Sequence, residues 1–204
     1  MPFARSALRF VTVILIIAAA FASQASAQQT QRLRGEIERV TGDSLTVKTP
    51  GGKSLKVMFD GNVTVTHIVP IALSDIKPGM YVGSGAMPDD DGGWKAAEVH
   101  VFAPGTRPGE GHRPWSADPA GSMTNADVSA VVIGSGKDQI TLTVHGQSYD
   151  IKVPPEAPVV RMERGSRDLL KPGAWVGISN AVEKDGVLSA RSIAVSEDRR
   201  YPVH

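Results

Sequence analysis

The chain contains one turn-and-strand phrase twice. Lys77-Pro78-Gly79-Met80-Tyr81-Val82-Gly83 returns as Lys171-Pro172-Gly173-Ala174-Trp175-Val176-Gly177, and the match from Lys77–Val101 to Lys171–Val195 needs no gap. Identities continue at Asp91/Asp185, Gly92/Gly186, Ala96/Ala190 and Val101/Val195. Agreement at a fixed offset marks a duplicated unit, so one small fold must serve both halves. Proline presets φ at about −65° at the first central position of a β-turn, and glycine accepts the positive φ needed at the second. Each phrase therefore predicts a type II turn that launches a strand.

Upstream of each turn lie short runs alternating polar and apolar residues, the period of a half-buried strand. In the first unit these are Gly35–Val40, Ser44–Thr49 and Ser54–Phe59, followed by an extended piece at Val63–His67 and a connector at Leu73–Ile76 that suits one helical turn. The second unit repeats the order with Asp127–Val132, Gln139–Val144, Gln147–Val153 and Val159–Arg161, and Asp185-Gly186 turns its last hairpin. Three meander strands, a crossover and a closing hairpin predict a small closed barrel, which hides its own sheet edges. The crossover falls between strands three and four, which favours an OB-like over an SH3-like path. The expected fold is thus all-β: two tandem small five-to-six-stranded OB-like barrels, at residues 33–102 and 123–196, joined by a Pro/Gly-rich linker at 103–122 and followed by a tail at 197–204.

Arg5 and Arg9 precede an apolar run from Phe10 to Ala22, and Ala25-Ser26-Ala27 offers a small-x-small cleavage site. Residues 1–27 read as a signal peptide, the run being short of the ~20 apolar residues of a membrane span. A periplasmic or secreted protein with no membrane span after cleavage is expected. Of 22 Lys+Arg and 21 Asp+Glu, cleavage removes two arginines and leaves one more acid than base. That balance argues against nucleic acid as a partner. With no cysteine, the fold must be held by packing alone.

The motifs that could carry chemistry are incomplete. His67, His100, His112, His145 and His204 show no metal-ligand spacing, and the repeat counterparts of His67 and His100 are Arg161 and Ala194. Asp89-Asp90-Asp91-Gly92 lacks the spaced acids of a calcium loop and reads as a hairpin turn. Gly52-Lys53-Ser54 lacks Walker spacing, and Gly83-Ser84-Gly85 is no nucleophile elbow. Tyr81 and Trp175 occupy equivalent strand positions and read as barrel aromatics. Within the linker, His112, Arg113 and Trp115 join a polar tip, a cation and a flat apolar face, and are the residues expected to bind; the tryptophan is expected to dock on a barrel.

Arg34-Gly35-Glu36-Ile37, Leu45-Thr46-Val47, the Lys-Pro-Gly phrase, Ala96–Phe102, Gly111–Trp115 and Met123-Thr124-Asn125-Ala126 together resemble an uncharacterised family of secreted bacterial proteins with OB-like domains of unknown function. The resemblance implies export and an OB-like fold, and implies no catalytic residues. The expectation is a monomeric, non-catalytic binding or structural module of the cell envelope, without metal or cofactor, acting on an envelope protein, a glycan or a small ligand. Two alternatives are periplasmic metal-ion handling and a metal-dependent hydrolase; either needs polar side chains converging in one place.

Overall fold

The computed structural model describes residues 29–134 and 137–201. Residues 1–27, expected to be a signal peptide, and His204 lie outside them. Fourteen strands follow in order: β1 (Gln29–Thr41), β2 (Ser44–Lys48), β3 (Ser54–Met58), β4 (Thr64–Pro70), β5 (Tyr81–Pro88), β6 (Trp94–Val101), β7 (Gly111–Pro114), β8 (Ser122–Val132), β9 (Gln139–Val144), β10 (Gln147–Lys152), β11 (Val159–Arg164), β12 (Trp175–Lys184), β13 (Val187–Ser189) and β14 (Ser192–Ser196). Single 3-10 turns sit at Leu73–Asp75 and Arg167–Leu169, at equivalent places in the two units. No helix among the described residues is long and apolar enough to cross a membrane.

Both Pro-Gly phrases make the turn their chemistry dictates. Gly79 and Gly173 each have φ +86°, and the amides of Met80 and Ala174 return to the carbonyls of Lys77 and Lys171 at 3.1 Å. His145 and Asp185 adopt positive φ ahead of Gly146 and Gly186, which gives two tight hairpins.

The strands close into a five-stranded barrel, but not within one unit. β1 pairs with β2 and β2 with β3, all antiparallel; β3 runs parallel to β13, β13 pairs with β12, and β12 returns to β1. Three strands come from the first unit and two from the second. A second ring of pairings mirrors it: β8, β9 and β10 from the second unit, then β6 and β5 from the first, with β5 returning to β8. The two units have exchanged their closing hairpins. This differs from the expected boundaries, which kept all strands of each barrel inside 33–102 or 123–196.

The connectivity explains how the exchange is reached. β4 runs parallel to β14 and β11 parallel to β6, so each extended piece rides along its ring toward the other one. The two pieces meet and pair antiparallel, with Ile68 opposite Met162. Met162 lies 94 positions after Ile68, the offset of the sequence repeat, so this pair sits on the approximate two-fold axis relating the units. From there each chain enters the opposite ring. Domain exchange between similar units needs only such a crossing, because each closing hairpin takes the place that its copy would have filled.

Each ring packs its own core. Leu33, Ile37, Leu45, Val57, Val176, Ile178 and Ile193 fill the first, and Val82, Val99, Ala126, Ile140, Leu142 and Ile151 the second. A small third cluster of Ile68, Val160 and Ala194 joins them at the axis. Valine and isoleucine dominate because β-branched side chains suit a pleated, two-sided surface.

Candidate functional site

The linker folds back onto the ring whose hairpin it leaves. β7 pairs with the first half of β8 on the edge opposite β5, so the linker contributes a four-residue edge strand. Pro114 ends it, as fits a strand open on its far side. Along 103–110 the contacts are polar. The Arg107 guanidinium lies 4.2 Å over the Tyr81 ring and grips both Asp127 carboxylate oxygens at 2.7 Å. That pair holds the Asp127 carboxyl below its ordinary range. Tyr81 Oη and Asn125 Nδ2 both donate to the Pro108 carbonyl, at 3.3 and 3.0 Å.

The three residues expected to bind do not converge. Alternation along β7 sends His112 inward and Arg113 outward. The His112 ring closes the open end of the second ring: it stacks on Tyr149 at 4.1 Å, meets Trp94 edge-on at 5.1 Å, and its Nδ1 lies 2.8 Å from Thr124 Oγ1 and 2.9 Å from Ser122 Oγ. Arg113 is exposed and donates to the Gly109 carbonyl at 2.7 Å. Trp115 lies against Gly85, where a Cβ would come within 2.5 Å of the indole; only glycine admits that approach. His112 and Trp115 pack against the second ring, while Arg113 braces the linker backbone from the surface.

Burial pushes the His112 pKa below its ordinary 6.5. The neutral ring is therefore the folded form. Below about pH 6.5 the unfolded chain takes up a proton that the folded chain resists, so stability is full above that pH and falls as the solution is acidified toward the folded pKa. Urea midpoints from pH 8 to pH 5 are expected to fall less steeply in His112→Gln, in the segment below about pH 6.5, than in the parent. Parallel curves would show that His112 does not titrate differently in the two states.

Beneath the linker, Glu98, His100 and Asn125 form a buried polar layer. A Glu98 Oε1 lies 4.0 Å from His100 Nδ1, and His100 meets Phe102 edge-on at 5.1 Å. His67 sits on β4 opposite Glu163, remote in register from His112 on β7. Among the described residues no group of three or more His, Cys, Asp or Glu side chains is placed to hold a metal ion. Asp89 and Asp91 instead hold the Lys152 ammonium, with Asp91 Oδ2 at 2.7 Å, and this contact lowers the Asp89 pKa.

An open groove runs beside the linker where it leaves β6. Its 710 Å³ are bounded by Met80, Tyr81, Phe102–Arg107 and Arg161–Arg164, and it continues into a second hollow of 730 Å³ along Gly61–Thr66. Phe102, Met162 and Tyr81 supply an apolar floor, with Arg161 and Arg164 at the rim. Arg161 is engaged by Glu163 at 3.6 Å. Sequence reasoning singled out none of Phe102, Met162 and Arg164. Searches against protein families, curated proteins and solved structures find no match to this chain.

Proposed function

We propose that the chain is an exported, non-catalytic binding module of the cell envelope, made of two OB-like rings that share strands by hairpin exchange. The strand order three-meander, then fifth, then fourth, with its single parallel contact between strands three and five, supports the OB-like reading of each ring. Export rests on the basic, apolar and small-x-small segments of residues 1–27. The groove beside Phe102 is the ligand site.

One observation carries this assignment: an apolar aromatic floor and guanidinium rim stand together in an open groove at the margin of the second core. Such a lining suits a flat apolar ligand that carries an acidic group. Anilinonaphthalene sulfonate has that chemistry and reports binding by fluorescence. The chain from residue 28 is expected to bind it, and Phe102→Ala and Arg164→Ala are each expected to weaken binding about tenfold, the scale of a lost charged hydrogen bond or aromatic contact. Equal affinity in the parent and both variants would remove the groove from consideration.

A further inference from the structure

The approximate two-fold symmetry exposes one place where the rings differ. On the second ring, the first half of β8 has β5 on one edge and β7 on the other. Its counterpart on the first ring is the first half of β1. The correspondence follows from register: Leu33 stands opposite Ile178 as Thr124 stands opposite Ser84, and β1 and β8 carry matching bulges at Ile37/Arg39 and Val128/Ala130. Here β12 covers one edge, and β2 reaches only as far as Glu36. Among the described residues no strand lies on the other edge of 30–34.

We infer that this open edge of β1 receives an extended, acidic segment of a partner protein as an added strand. Three observations converge on that occupant. An open edge turns backbone N–H and C=O groups toward solvent in the spacing another strand needs. The same edge of the sister ring is filled in cis by an extended piece, which shows that the geometry accepts one. The flanking side chains Arg32 and Arg34 are both exposed and lie two residues apart, on one face, in phase with alternate acids on an incoming strand; Arg32 also donates to Ser116 Oγ at 3.1 Å, a surface contact that an incoming acid would replace.

The mouth of the ring refines the pattern. His112, the inward residue of β7, rests among Thr124, Tyr149 and Trp94. The matching positions on the first ring are Leu33, Leu55 and Leu188. The residue that points inward from the partner strand is therefore apolar. Main-chain bonding would supply affinity, and alternation of acid with apolar residue would supply specificity.

A short peptide alternating glutamate and valine is the probe, with its lysine-for-glutamate form as control. The chain from residue 28 is expected to bind the glutamate peptide, with amide-exchange protection appearing at 30–34. The double variant R32E/R34E is expected to lose about tenfold in affinity for it and to gain about as much for the lysine peptide. Both residues are exposed, so the variant keeps the fold. Protection at 30–34 already present without peptide, in a species of doubled mass, would assign the edge to a second copy and overturn the inference. Perturbations confined to the Phe102 groove, or equal affinity for both peptides, would overturn it too.

Discussion

Cut between Gly109 and Glu110, the chain is expected to give two pieces, 29–109 and 110–201, that are each unfolded alone and that fold when mixed. The first piece holds the meander β1–β3 and the hairpin β5–β6, which belong to different rings. The second holds the complementary meander and hairpin. Alone, each meander lacks the two strands that close its barrel, and its cores in Leu33–Val57 or Ile140–Ile151 lie open on one side. A domain's net stability is only about 5–15 kcal/mol, so losing two of five strands leaves nothing in reserve. Mixed, the pieces bury both hairpins and belong to the class of obligate interfaces. Circular dichroism and amide-proton dispersion of each piece, then of the mixture, read the result. Independent folding of either piece would mean that each unit can close on itself.

Most strands were legible in the sequence because their signals are local. Alternation in Ser44–Thr49 or Gln139–Val144, and Pro-Gly or Asp-Gly at a turn, act within a few residues, and they produced β2, β9 and both type II turns where the residues demand them. The pairing partner was not legible. Val82 presents the same apolar face whether it lines the ring of Ile37 or that of Leu142, and the duplication made the two destinations chemically alike. Nothing in the alternation of Thr64–Pro70 announces that it crosses to its own copy; only the opposition of Ile68 to Met162 shows it.

The site was less legible than the fold, for a related reason. His112, Arg113 and Trp115 attracted notice because polar and aromatic residues in a proline-rich segment are unusual, yet a segment that must hold to a barrel needs such anchors. The residues of the groove, Phe102 and Arg164, stand 62 positions apart and look ordinary where they occur. They become neighbours because β11 runs parallel to β6, a contact between units that sequential closure would not create.

The hairpin exchange also fixes which core residues feel one another. Leu33 and Ile178 face each other across β1 and β12, with 4% and 2% of their surfaces exposed. Leu33→Ala is expected to cost about 2–5 kcal/mol, from lost transfer energy plus the cavity, and Ile178→Val about 0.5–1.5. Because the side chains are opposed, the double variant should depart from additivity by about 0.5–3 kcal/mol. Ser84 holds the place equivalent to Ile178 in the first unit, and barrels closed in sequence would set it opposite Leu33 instead. In the exchanged fold Ser84 faces Thr124 and donates to the Glu98 carbonyl at 3.0 Å, inside the other ring. Leu33→Ala and Ser84→Ala should then add to within about 0.5 kcal/mol. Urea unfolding of the three single and two double variants against the parent decides it. Coupling of Leu33 with Ser84, and additivity with Ile178, would place the hairpin β5–β6 back on its own meander and cancel both the exchange and the inter-unit groove that depends on it.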